Sequence, residues 1–99
     1  MNMQNLMAQA QKLQKEIQQK QKEIDESIFE GNSEWVSLTM TGKREIKSLN
    51  IKKGVIKDED DFEMLEDMIK LAVNDVLKKI EAEITKKMGA YGSGLNGMI

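Results

Sequence analysis

Val36-Ser37-Leu38-Thr39-Met40-Thr41-Gly42-Lys43-Arg44-Glu45-Ile46-Lys47-Ser48-Leu49-Asn50-Ile51 is the stretch that decides the fold. Val36, Leu38 and Met40 alternate with Ser37, Thr39 and Thr41, the two-residue period of a strand with one buried face. Gly42-Lys43 supplies a turn, and Glu45 to Lys52 forms a second strand with Leu49 and Ile51 on one face. Ile46 is out of phase with that pair, which predicts a bulge or a side chain turned to another surface. Ile28-Phe29-Glu30-Gly31 reads as a short third strand ahead of a loop at Asn32-Ser33. Two or three antiparallel strands with one apolar face do not stand alone in water, so the flanking segments must cover them.

Both flanks change to a helical period. Upstream, Met3, Leu6, Met7, Ala10, Leu13, Ile17 and Ile24 fall at spacings of three, four and seven and form one stripe. Gln fills much of the remaining surface, and Gln is a good helix former. Met3 to Glu26 would extend roughly 36 Å at 1.5 Å per residue. Downstream, Phe62, Leu65, Met68, Ile69, Ala72, Val73, Val76, Ile80 and Ile84 keep helical spacing. Asp58 suits the N-cap, the acids after it suit the positive end of the helix dipole, and Lys86, Lys87 and Gly89 suit the other end. The predicted class is α+β: long helix, antiparallel two- or three-stranded sheet, long helix. The domain is placed at residues 1–88, with a flexible Gly-rich tail at 89–99. Both helix stripes are expected to cover one sheet face, and both helices outrun the sheet, so a second copy is expected to protect the excess.

Composition narrows the function. The chain has 99 residues with no Cys, His or Pro. A chain of this size buries only about 60–65% of its unfolded surface, so a core alone gives thin stability. No disulfide can form, and without thiolate or imidazole a zinc site is disfavoured. Nucleophile–histidine catalysis is excluded. No apolar run is long enough to span a membrane, and the Gln-rich opening is unlike a secretory signal, which points to the cytoplasm. The expectation is a self-assembling binding protein with no catalytic residues, no cofactor, no metal and no small-molecule substrate.

The net charge of −2 hides strong segregation. Met1 to Lys22 holds four Lys against Glu16, and Lys43 to Lys57 holds six bases against Glu45. Asp58 to Asp67 holds seven acids and no base. On the first helix, Lys12, Lys15 and Lys22 fall within about 80° of arc, opposite the apolar stripe. On the second, Lys70, Lys78, Lys79 and Lys86 lie away from the core stripe. These lysines suit phosphate contacts, which give affinity without base readout; the alternative is an ordinary solvated helix face. Lys47, Lys52 and their neighbours read as edge-strand lysines that block unwanted pairing. Strict alternation places Lys47 with Leu49 and Ile51. The acids lack the spacing of a calcium loop and read as cap and dipole complement. Met7, Met64 and Met68 read as core or interface filler.

Four stretches in order resemble the YbaB/EbfC family of bacterial nucleoid-associated proteins. These are Met3-Gln4-Asn5-Leu6-Met7-Ala8-Gln9-Ala10-Gln11-Lys12-Leu13-Gln14, Thr41-Gly42-Lys43-Arg44-Glu45-Ile46-Lys47-Ser48-Leu49, Glu63-Met64-Leu65-Glu66-Asp67-Met68-Ile69 continuing through Lys79, and Lys87-Met88-Gly89. Two places depart from the family pattern: Asn32-Ser33-Glu34 is shorter than the usual glycine-rich run, and Lys52-Lys53-Gly54 stands where an acidic-proline turn is common. The resemblance implies a tweezer-like homodimer with central sheets and projecting helical arms that bind duplex DNA with little sequence demand. Lys12, Lys15, Lys22, Lys78, Lys79 and Lys86 are then the candidate DNA contacts, and a nucleoid location follows. The alternative is a protein-interaction dimer whose arms grip a replication or repair protein through the apolar stripe of the first helix.

Overall fold

The first helix, α1 (Met3–Glu26), begins on Asn2, whose side-chain oxygen accepts the Gln4 N–H at 2.9 Å. That bond satisfies one of the orphan donors at the helix start. The helix ends at Ser27, whose backbone N–H reaches the carbonyls of Glu23 and Ile24 while its hydroxyl donates to Glu23 O at 2.6 Å. Strands β1 (Ile28–Asn32), β2 (Val36–Thr41) and β3 (Ile46–Ile51) follow, and α2 (Asp60–Met88) completes the domain. The computed structural model describes residues 2–89, so the expected tail, apart from Gly89, lies outside the described residues. The second helix starts slightly later than the sequence suggests. Asp58 still serves it, its carboxylate accepting the Asp60 N–H at 3.0 Å, and Asp61 accepts the Lys57 N–H at 2.7 Å.

The strands form one antiparallel sheet in the order β1-β2-β3. Leu38 lies opposite Gly31 on one side and Leu49 on the other, and Met40 lies opposite Phe29 and Ile46. The β2–β3 register shifts between Thr39 and Met40, because Ser48 pairs with Thr39 and Ile46 with Met40. The bulge explains the out-of-phase Ile46. Cross-strand partners share a face, so the extra residue brings Ile46 onto the face of Leu49 and Ile51. Lys47, placed on that face by strict alternation, is the unpaired residue of the bulge.

The core comprises Ile24 of α1, Val36, Leu38 and Met40 of β2, and Ala72, Val76, Ile80, Ile84 and Met88 of α2. The α2 members recur every four residues, the spacing that keeps side chains on one helix face. Helix α2 approaches β1 so closely that a Cβ on Gly31 would collide with the Ala72 carbonyl and lie 2.8 Å from Val76 Cβ.

Coverage of the sheet departs from expectation. Helix α2 lies over β1 and β2, and α1 meets only α2 and β2. The apolar face of β3 is therefore bare, with Ile46, Leu49 and Ile51 still 51%, 40% and 42% exposed. Phe62 and Met64 of α2 and Met7 of α1, expected as core or filler, are exposed as well. Core contact on α1 starts only at Ile17, and every residue from Met3 to Glu16 is exposed. Those fourteen residues project about 21 Å of uncovered helix at 1.5 Å per residue. The molecule consequently extends 72 × 20 × 15 Å with a radius of gyration of 19.4 Å, against about 13 Å for a compact 100-residue domain.

Candidate nucleic-acid interface

The uncovered half of α1 is a basic arm. Lys12 and Lys15 stand on it, and Lys22 continues their arc on the outer face of the packed half; all three are exposed. No hydrogen bond or ion pair engages them. The opposite face of the arm carries Met3, Leu6, Met7 and Leu13, all largely exposed. The arm thus presents two chemistries, ammonium groups on one side and apolar side chains on the other.

The three α2 candidates fall into different environments. Lys79 is already engaged: its Nζ donates to the Glu30 carbonyl at 2.6 Å and pairs with the Asp75 carboxylate at 3.3 Å. Asp75 also accepts the Asn32 N–H at 2.9 Å. That backbone bond, followed by Lys79, holds the Asp75 carboxyl below its ordinary pKa. Together Asp75 and Lys79 clip β1 to α2, a role that helical spacing could not reveal because both partners come from a strand over 40 residues away. Lys78 and Lys86 are exposed without a hydrogen bond, and Lys70 makes a loose exposed pair with Asp67 at 3.8 Å. Near the C-terminal end of α2, Lys87 bridges to Glu23 of α1 at 3.4 Å and fastens the base of the arm.

The fold also separates the two signs of charge. Helix α1 packs beside Ile84 and Met88, at the C-terminal end of α2. The acids from Asp58 to Asp67 begin at the other end, about 36 Å along the helix from Ile84. At physiological salt that distance is several Debye lengths, so the acids do little to the arm's field.

The β2–β3 turn lies against the base of the arm. The Gly42 N–H donates to Ser27 O at 3.2 Å, and a Cβ at Gly42 would strike the Ile24 carbonyl. This packing brings Lys43 and Arg44 to a groove shared with Gln18 and Gln21 of α1. Sequence alternation treated these bases as edge guards; Lys47 and Lys52 do belong to the edge strand and its end, whereas Lys43 and Arg44 belong to the arm side.

Among the described residues no group of acids is arranged to hold a metal ion, and no helix is long and apolar enough to cross a membrane. The comparisons with known proteins agree with the architecture. A model of the YbaB/EbfC DNA-binding family matches residues 1–95. A nucleoid-associated protein of Clostridium botulinum is 50% identical over 98 residues, covering 97% of this chain and 86% of that one. One from Lactococcus lactis is 47% identical over 97 residues, covering 96% and 97%. The crystal structure of an uncharacterized Helicobacter pylori protein superimposes with a TM-score of 0.70 at 23% identity, covering 87% of this chain and 91% of that one, and shares the fold. With its elements in this order and the match running through nearly every residue, the chain belongs to the YbaB/EbfC DNA-binding family.

Proposed function

We propose that this chain is a nucleoid-associated homodimer that binds duplex DNA mainly through phosphate contacts from its helical arms, with low sequence specificity and no catalytic step. The observation that carries the reading is the arm itself: about 21 Å of uncovered helix with Lys12, Lys15 and Lys22 along one arc and no internal partner for any of them. Lysines held this way meet phosphates as point charges and release counterions. Lys78 and Lys86 extend the set. Lys79 contributes through its charge while its ammonium is held by β1. Membership in a DNA-binding family and the names of the nucleoid-associated relatives support DNA as the partner and the nucleoid as the place.

The homodimer rests on β3. The strand has an unpaired edge and an apolar face that its own helices leave bare, and exposed patches of that kind mark association surfaces. A second copy doubles the arms and offers six α1 lysines to one duplex.

The test is a salt series of duplex binding with Lys12, Lys15 and Lys22 changed together to Gln. Gln keeps helix propensity and removes the charge. Each lost phosphate contact removes about 0.9 from the log–log salt slope, so loss of three weakens binding about 500-fold at 0.1 M salt. The loss should be similar on unrelated duplexes, since phosphate carries no base information. A triple variant with wild-type affinity and slope would remove α1 as the DNA surface. A second reading has its own observation: Met3, Leu6, Met7 and Leu13 make an exposed apolar strip suited to a protein partner. A wild-type protein that fails to bind duplex DNA at low salt would favour that reading.

A further inference from the structure

The turn between β2 and β3 holds an arginine in a conformation that its hairpin would more cheaply give to glycine. Arg44 N–H donates to Thr41 O at 2.8 Å, and Thr41 N–H donates to Glu45 O at 2.9 Å, so Gly42, Lys43 and Arg44 form a three-residue loop. Loops of this length place their last residue in the left-handed region, where glycine is the unstrained choice. Arg44 has φ +69°. The glycine of the loop is committed elsewhere, since Gly42 is the residue that the Ile24 carbonyl leaves no room to replace. Positive φ at a residue other than glycine is strain, and retained strain on an exposed residue points toward function.

The surroundings give that arginine a task. A groove of about 660 Å³ runs between α1 and the turn, with Gln18, Gln21, Lys43 and Arg44 on its walls. On α1, Gln11, Lys15, Gln18 and Lys22 fall within about 60° of arc, so the polar track of the arm leads into the groove at Gln18. Asp25 and Glu45 also line the groove, and Asp25 accepts a hydrogen bond from Gln21 at 2.9 Å. With two acids beside two bases the groove supplies no strong general field. What it offers is a planar guanidinium held at a defined height beside the arm, a shape matched to two oxygens of one phosphate.

We propose that the Lys43-Arg44 turn is a second DNA contact, with Arg44 gripping a backbone phosphate at the base of the arm. The proposal rests on the DNA-binding reading and adds a site outside the helices. The turn fixes how deeply the duplex seats against the arm, and the arm lysines supply the rest of the charge.

The experiment compares full-length wild type, Arg44→Gly and Arg44→Lys for thermal midpoint, dimer mass and duplex affinity across a salt series. Arg44→Gly relieves the backbone and removes the charge. Its midpoint should equal or exceed that of wild type and its dimer mass should be unchanged. Its affinity should fall about eightfold per lost phosphate contact at 0.1 M salt, with a slope shallower by about 0.9. Arg44→Lys keeps a charge without the fork and should fall between the two. A purely structural Arg44 predicts a lower midpoint for Arg44→Gly, and that result overturns the proposal. Wild-type affinity and slope in Arg44→Gly also overturn it, while the arm-lysine variant still reports whether DNA binding stands. Failure of the wild type to bind duplex at low salt overturns both readings together.

Discussion

Replacing Leu49 by Gln should split the dimer while leaving the subunit folded. Full burial of a Leu or Ile side chain contributes about 1.5–3 kcal/mol. The exposures of Ile46, Leu49 and Ile51, at 51%, 40% and 42%, leave part of that unrealised in one subunit. In proportion, the three side chains hold roughly 2–4 kcal/mol per subunit, or 4–8 kcal/mol for two copies that cover each other. Leu49 alone accounts for about 1.2–2.4 kcal/mol of the pair. A Gln amide desolvated in its place adds about 1–3 kcal/mol per subunit. A loss of at least about 3 kcal/mol raises the dimer Kd more than 100-fold. Sedimentation equilibrium across a concentration series measures that shift, and circular dichroism checks the fold. Asn50→Asp is the control: Asn50 pairs with Ser37 on the other face of the sheet, so its dimer constant should not move. A folded Leu49→Gln protein with the wild-type dimer constant would refute the role given to β3. So would a wild-type chain that is monomeric at micromolar concentration.

Gly31→Ala should destabilise the fold by about 1–3 kcal/mol, because the new methyl must push α2 off β1 at Ala72 and Val76; thermal unfolding should show a fall of several degrees, and an unchanged midpoint would mean that the close approach is not needed. Asp75→Asn should lower stability at neutral pH by loosening the clip to Asn32 and Lys79. The folded carboxyl has its pKa depressed from 3.8, so its contribution is complete above the unfolded value and disappears as pH falls through the folded one. Urea titrations from pH 7 to pH 2 should therefore show wild type and variant converging below about pH 4; a gap that stays constant across that range would contradict the linkage.

The sequence by itself determined the elements and their order. Helical periods and strand alternation are local properties of the chain, so Met3–Glu26, the Val36–Thr41 strand and the second helix could be read from spacing alone. Even the bulge left a trace, since Ile46 broke the phase of Leu49 and Ile51. The charge blocks were also legible, because they are contiguous in the chain.

Tertiary structure alone decided which of these features face one another. Spacing could say that β3 has an apolar face but not that α2 would lie over β1 and β2 and leave it bare. That choice depends on the contact that Gly31 permits with Ala72 and Val76. Lys78 and Lys79 look equivalent on a helical wheel, yet only Lys79 finds the Glu30 carbonyl and Asp75 within reach. The acids and the basic arm seemed set to compete until α1 was seen to pack at the far end of α2. Arg44 shows the same limit most directly. Its left-handed backbone follows from Gly42 being held against Ile24, a contact between residues that meet only after the chain has folded.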